Sequence, residues 1–354
     1  SINERFLRKQ LKIQVLAQKY LTERTNEIAK DYDQKDIDAE YKKDTTAYDF
    51  VTFRAYTFKT TELTKEDKET DDALKARQAK ANAEVKKNAN DFYNAVTNDA
   101  TFTAKAKELN KDTADYNVDK ETKYSMLKST AQSTFSEDAA KWLFDSSTKV
   151  GSKKLFSDEK YIVVLALSKP HQEQTVTARH ILFQTKDQNS GNDLSEEEIA
   201  KKKTQAEDVL KKFNEGDKTE DSFAALANEY NEDTGSSSNG GLYEHIYPGQ
   251  MVTEFNDWVF DANRKAGDVE LVETDCGYHI IYFVAKDGKD YYDSAIRSSK
   301  ANEDIETETK ALQEGKDYVV GLGPRRMNYA EKRVLKKIKY LVELSNANSS
   351  SSAR

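Results

Sequence analysis

The sequence holds four histidines in 354 residues, few enough to ask what each could do. His180 and His279 lie in stretches that read as β-strands, Ala178-Arg-His-Ile-Leu-Phe183 and Gly277-Tyr-His-Ile-Ile281. An imidazole there can donate, accept or carry a proton near neutral pH, or it can be a core residue whose nitrogens are satisfied. Spacing alone leaves both open. His171, beside Pro170, and His245 have no partners at metal-ligand spacing and read as surface residues. Cys276 is the single cysteine, which excludes an internal disulfide framework and a multi-cysteine metal site. No Gly-x-Ser-x-Gly elbow occurs, so hydrolase chemistry is disfavoured. The acidic runs at 66–72 and 196–198 lack calcium-loop spacing and read as solvated faces.

The elements that must position these residues come from a duplicated pattern. At this length the chain can form two or three domains, each with its own core. Apolar residues make up 37% and charged residues 33%, which favours several small domains with wide solvated surfaces over one large core. Val51-Thr-Phe-Arg-Ala-Tyr-Thr-Phe58 resembles Val176-Thr-Ala-Arg-His-Ile-Leu-Phe183, and each is followed by an amphipathic helical stretch and a shorter helix. Lys141-Trp-Leu-Phe-Asp145 matches Asp257-Trp-Val-Phe-Asp261, each with a glycine six residues on, Gly151 and Gly267, and each copy ends in a β-branched strand. The two tryptophans of the chain therefore fall at matching positions. In the second copy Ser195 with Glu198 predicts a capping box, Gly216 a helix end, and Asp221 and Thr253 the caps of two further helices. The resulting order is strand, helix, helix, loop, helix, strand, strand, an α+β pattern.

The motifs of this second copy resemble the parvulin family. Ala178-Arg-His-Ile-Leu-Phe183 is similar to its first strand, Gly240-Gly-Leu242 to its glycine turn, Gly249-Gln-Met-Val-Thr-Glu-Phe255 to its binding segment and Gly277-Tyr-His-Ile-Ile281 to its last strand. The four stand in order over about 115 residues. The resemblance implies a peptidyl-prolyl cis-trans isomerase (rotamase) domain, with His180 and His279 as a hydrogen-bonded pair and Asp233 and Thr274 beside them. It implies that Met251 and Phe255 hold the substrate proline ring, with Leu242 as a wall and Cys276 near the second histidine. No cofactor is implied. The glycine turn passes straight into Leu242-Tyr243 without the family's usual aspartate, so a shortened turn and a displaced Leu242 are expected. Lys186 is the only basic residue between 184 and 193, which predicts no phosphate requirement. In the first copy Ala55 and Ile162 stand at the histidine positions, so that copy is expected to be silent.

Outside the repeats, residues 2–30 carry two apolar stripes at helical spacing, one through Ile2, Phe6, Ile13, Leu16 and Tyr20 and one through Leu7, Leu11 and Val15. Residues 325–344 have seven Lys or Arg against two Glu, with apolar residues on one face. That segment can pack on the N-terminal helix or touch an anionic membrane or cell wall. Together with the parvulin-like copies the layout resembles SurA- and PrsA-like extracytoplasmic foldases. The expected organisation is an N-terminal helical segment (1–45), a degenerate parvulin-like repeat (46–170), a parvulin isomerase domain (171–288), a C-terminal helical segment (289–344) and a disordered tail (345–354). A net charge of −8 argues against nucleic-acid binding, and no run of 18 apolar residues could span a membrane. The chain opens on Ser1 without a leader pattern, so an export signal is expected to have been removed. The expected partners are unfolded or proline-containing polypeptides, at the cell surface or secreted. The rival expectation is a chaperone that uses the parvulin groove only to bind peptides.

Overall fold

The computed structural model describes residues 20–157, 160–187 and 190–314, with side chains through 310. Most of the N-terminal apolar stripes, Pro324, the basic segment 325–344 and the tail lie outside the described residues. Two helices come first, α1 (20–31) and α2 (Gln34–Tyr41), the latter capped by Asp33, whose side chain accepts from Lys35 N–H. They belong to one compact unit, and residues 44–292 form another.

The larger unit is built twice over. The first pass runs β1 (Phe50–Phe58), α3 (Asp71–Ala95), α4 (Asp99–Leu109), α5 (Val118–Thr122), β2 (Lys123–Leu127), α6 (Lys128–Thr134), α7 (Glu137–Phe144), β3 (Lys153–Ser157) and β4 (Tyr161–Ala166). The second runs β5 (Gln174–Gln184), α8 (Glu196–Glu215), α9 (Glu220–Tyr230), β6 (Leu242–Ile246), α10 (Thr253–Val259), β7 (Val269–Thr274) and β8 (Gly277–Asp290). The sheets have matching orders, β2-β1-β4-β3 and β6-β5-β8-β7, and every pairing is antiparallel. Helix and sheet are thus mixed in an α+β fold, as the sequence pattern predicts. Strand β6 falls where the sequence reading has only the end of a loop.

Alternation along the central strands divides the second sheet into two faces. Ile181, Phe183, Tyr278, Ile280 and Tyr282 pack under α8 and α9 with Val209, Phe213 and Phe223. The opposite face carries Val176, Ala178, Ile281 and Phe283 under Phe255, Trp258 and Val259 of α10. Every one of these side chains is buried. Full burial of such a residue contributes about 1.5–3 kcal/mol, so the face a residue occupies is strongly specified and a one-residue slip is costly.

Helix ends follow local chemistry. The Ser195–Glu198 capping box opens α8, and Gly216 ends it with its N–H on the Lys212 and Phe213 carbonyls. Two predicted caps are corrected. Helix α9 is opened by Thr219, which forms a reciprocal box with Ser222, so Asp221 lies inside the first turn. Helix α10 includes Thr253 as its first residue, and its cap, Val252, supplies no side-chain bond.

In the smaller unit α11 (Tyr291–Glu314) meets the N-terminal helices. Arg297 donates from Nη1 to the carbonyls of Ala29 at 3.1 Å and Tyr32 at 2.6 Å, closing the last turn of α1. Arg24 reaches Glu308 at 3.2 Å and Tyr32 donates its hydroxyl to Asp304 at 2.6 Å. The described ends of the chain are therefore bonded to each other.

Candidate active site

Strand pairing brings the two histidines together. In the register of β5 and β8, His180 lies opposite Ile281 and His279 opposite Leu182, so the histidines are diagonal neighbours on the face under α10. Their rings stack with centroids 5.4 Å apart at 18°, and Nδ1 of each lies 3.2 Å from Nδ1 of the other. Both are 5% exposed. A polar group at that depth is costly unless bonded, and each ring has a partner for its remaining nitrogen. His180 Nε2 is 2.9 Å from Asp233 Oδ2 and His279 Nε2 is 3.0 Å from Thr274 Oγ1.

Asp233 is held by the loop between α9 and β6. Its Oδ1 accepts the Gly235 N–H at 3.0 Å, and Oδ2 accepts the Ser236 hydroxyl at 2.6 Å and the Tyr243 hydroxyl at 2.9 Å. Asn231 steadies the same loop, donating to Ser236 Oγ at 3.0 Å while its Oδ1 accepts the Leu182 N–H at 2.9 Å. The hydrogen bond from His180, with those from Ser236, Gly235 and Tyr243, holds the Asp233 carboxyl far below the usual carboxylate range. Burial, and after it the neighbouring His180, pushes His279 down to about 3. Burial and the bond to Asp233 push the Tyr243 hydroxyl up to about 12.

The Asp233 carboxylate can only accept, so His180 donates to it from Nε2. A relay of contacts therefore runs from the carboxylate through both rings to the β7–β8 turn, where Thr274 Oγ1 donates to the Gly277 carbonyl at 3.2 Å and accepts the Cys276 N–H at 3.1 Å.

Phe255 covers the pair, its ring 5.6 Å from each imidazole centroid and close to perpendicular to both. Met251 is half-buried against the same cluster. The site thus combines an aromatic and thioether surface with a buried, charge-anchored polar floor. Among the described residues no group of three or more His, Cys, Asp or Glu side chains is arranged to hold a metal ion.

His180, Asp233, His279, Thr274, Met251 and Phe255 are therefore brought together, and two expected residues are placed differently. Leu242 is opposite Arg179 and Tyr243 opposite Ala178; by alternation Leu242 lies on the face away from His180, and Tyr243 takes the position beside it, 5.3 Å between ring centroids. Cys276 is exposed in the turn and serves Thr274 through its backbone. The glycine turn is stitched to β5, with His180 N–H donating to Gly241 O at 2.8 Å. A Cβ on Gly241, at φ +72°, would lie 2.1 Å from the His180 carbonyl oxygen, so that position accepts no side chain. Ser236 and Tyr243 were missed by sequence reasoning. The signal for Ser236 is Asp233 followed by Gly235 and Ser236, an Asx-turn pattern; for Tyr243 it is strand parity.

Residues 161–287 match the family described as the PPIC-type PPIASE domain. Among curated proteins the chain is similar to the foldase protein PrsA of Geobacillus sp. (strain WCH70), 32% identical over 41% of this chain and 46% of the relative. It is also similar to foldase protein PrsA 3 of Bacillus cereus, 38% identical over 30% of this chain and 36% of the relative. The chain thus spans less than half the length of either. A crystal structure of PrsA from Bacillus subtilis overlaps 93% of this chain and 91% of its own at 19% identity, with a TM-score of 0.27, too low for any argument from the superposition. Residues 161–287, with the motifs they contain, thus match the parvulin, or PPIC-type, family, and the likeness of the chain to PrsA foldases extends over less than half of its length.

Proposed function

We propose that the chain is a peptidyl-prolyl cis-trans isomerase and foldase that acts on unfolded or newly exported, proline-containing polypeptides outside the cytoplasm. The observation that carries this reading is the buried His180–His279 pair, anchored by Asp233 and roofed by Phe255. Rotation about an Xaa-Pro bond breaks no covalent bond. It must cross a barrier of about 18–20 kcal/mol set by amide resonance, and unaided it takes tens to hundreds of seconds.

Such chemistry needs no nucleophile or metal; it needs a site that binds the twisted amide better than either planar isomer. Phe255 and Met251 offer an apolar seat for the proline ring, where the amide carbonyl is stripped of water. Loss of those hydrogen bonds weakens the resonance that opposes rotation. The relay beneath, from Asp233 through His180 and His279 to Thr274, fixes the dipoles of the floor before substrate arrives, so no reorganisation is needed during rotation. In this reading Leu242 packs on the far face and Cys276 serves by its backbone alone. The degenerate repeat, with Ala55 and Ile162 at the histidine positions, is silent in isomerisation and acts as scaffold or chain-binding surface. The segment 325–344 packs on the N-terminal helix or touches an anionic membrane or wall.

The test is proline cis/trans exchange by NMR on a short unphosphorylated Xaa-Pro peptide, with the intact chain, His180→Ala and Met251→Ala. Exchange accelerated by the intact chain and lost in both variants is the expected result. No acceleration over buffer leaves the peptide-binding chaperone in its place.

A further inference from the structure

Strand β2 lies at the edge of the first sheet, and the main-chain groups of one of its residues face away from that sheet. Thr52 pairs in register with Ser125. Yet the Thr52 N–H donates to Ser168 Oγ at 2.8 Å, and its carbonyl accepts from the Leu167 and Ser168 N–H groups at 2.9 and 3.0 Å. The Thr52–Ser125 pair is therefore of the non-hydrogen-bonded kind, and the N–H and C=O of Ser125 point outward from the sheet. The Ser125 hydroxyl is also buried, with no hydrogen-bond partner among the described residues. Buried polar groups are nearly always paired, so an orphan calls for an explanation.

Outward from Ser125 opens a cleft of about 750 Å³ between the two sheets of the larger unit. One wall is β2 with Lys120; the facing wall is the segment that leads into α10, from Pro248 through Met251 to Glu254. At one point the walls nearly touch: Gly249, at φ +83°, passes so close that a Cβ there would come within 3.1 Å of the Ser125 carbonyl oxygen. An ion pair from Lys120 to Glu254 spans the gap. Met251 belongs to both places, packed on the Phe255 cluster and lining the cleft. The expected proline seat therefore opens directly onto an unsatisfied sheet edge.

We propose that this cleft is the subsite for the extended chain that flanks a substrate proline, a reading that rests on the isomerase assignment above. A polypeptide whose proline ring sits on Met251 and Phe255 runs its adjoining residues along β2 and takes up the outward N–H of Ser125. Recognition of this kind uses the main chain, so it tolerates many sequences. The charges on the rim suit such a ligand, since Lys120 and Lys123 are offset by Asp119, Glu254 and Asp257 and neither sign dominates. The silent repeat then has a role that needs no histidines: it supplies the strand against which the client lies.

The experiment compares kcat/KM of the full chain on an Xaa-Pro tetrapeptide and on a permanently unfolded, reduced and carboxymethylated protein with one slow proline step. The unfolded protein is expected to be the better substrate. Ser125→Pro removes the outward N–H at an edge position compatible with proline; it should lower turnover of the long substrate roughly two- to tenfold relative to that of the tetrapeptide, the size of one net hydrogen bond. A second measurement covers a variant that fails to fold. Hydrogen exchange of the Ser125 amide in the unmodified chain should slow when an unfolded proline-containing polypeptide is added. Equal turnover of both substrates with unchanged exchange at Ser125 overturns the proposal. If the tetrapeptide is not accelerated at all, the isomerase reading falls, and exchange at Ser125 still decides for or against chain binding in the cleft.

Discussion

The two sheets of the larger unit share an order and a register but fill one face in opposite ways. Ala55 lies opposite Val164 and Ile162 opposite Thr57, the positions held in the second sheet by His180 opposite Ile281 and His279 opposite Leu182. Around Ala55 and Ile162 the first sheet packs Phe53, Ala139, Leu143 and Phe144 into continuous apolar core. Where the second sheet puts Phe255 over its imidazoles, the first has Ala139, four residues before the equivalent of Val259. Tyr124, opposite Phe53, occupies the place of Tyr243 and donates its hydroxyl to the Glu121 carbonyl at 2.8 Å. The teaching is about cost. A pair of buried imidazoles needs a carboxylate, two hydroxyls and a glycine-bound loop to be satisfied, whereas a pair of aliphatic side chains needs none of these.

What the sheets keep in common is structural. Arg54 binds Asp99, the first residue of α4, as Arg179 binds Glu220, the first residue of α9, at 2.9 Å. Gly151 N–H donates to the Ala166 carbonyl at 2.8 Å and Gly267 N–H to the Phe283 carbonyl at 2.9 Å. Shared contacts of this kind hold the fold; the unshared ones mark the site.

Transplanting the first floor onto the second is the harshest test. His180→Ala with His279→Ile should reduce prolyl exchange to the buffer rate while the far-ultraviolet spectrum and cooperative melting persist. Retained activity would dissociate the histidines from catalysis. Acid should next separate the sheets. His279 is held near pKa 3 in the folded chain against an ordinary 6.5, so between those values the unfolded state binds more protons and folding stability falls as pH falls. Asp233, held below its ordinary 3.8, acts in the same sense from that point downward. The His279 contribution is on the order of a few kcal/mol at about 1.4 kcal/mol per pH unit. Urea titrations of the intact chain and the double variant at several pH values should show the decline flattened in the variant.

Asp233→Asn deprives His180 of its charged acceptor. It should destabilise by roughly 1.5–3 kcal/mol and slow exchange, and a neutral outcome in both would mean that Ser236, whose Oγ lies 2.9 Å from His180 Nε2, suffices to hold the ring. The mildest test uses the two tryptophans. Trp258 donates to Glu270 at 2.6 Å and lies under the Arg264 guanidinium at 3.7 Å, whereas the ring of Trp142 meets that of Phe156 edge-on. Trp258→Phe should therefore cost about 1 kcal/mol more than Trp142→Phe by chemical denaturation.

The repeat was legible because hydrophobic alternation, paired tryptophans and glycines at fixed offsets are local signals. The pairing of His180 with His279 is implied by the family resemblance; it takes the β5–β8 register, with Leu182 opposite His279, to put both on one face. The altered glycine turn predicts a displaced Leu242 but not its face, because β6 is absent from the sequence reading and without its register parity cannot be counted. Ser236 and Asn231 were hidden because they act through a turn that brings three backbone and side-chain groups to one carboxylate, which spacing alone does not reveal. The caps at Asp221 and Thr253 missed by one or two residues because several neighbouring residues can cap, and tertiary packing chose among them.

The chain has a single thiol, Cys276, exposed in the β7–β8 turn and bonded through its backbone to the Thr274 hydroxyl that closes the histidine relay. A fluorophore or spin label attached there would be stoichiometric without any engineered site. It would report on occupancy of the groove from just outside, since the side chain itself takes no part in the relay.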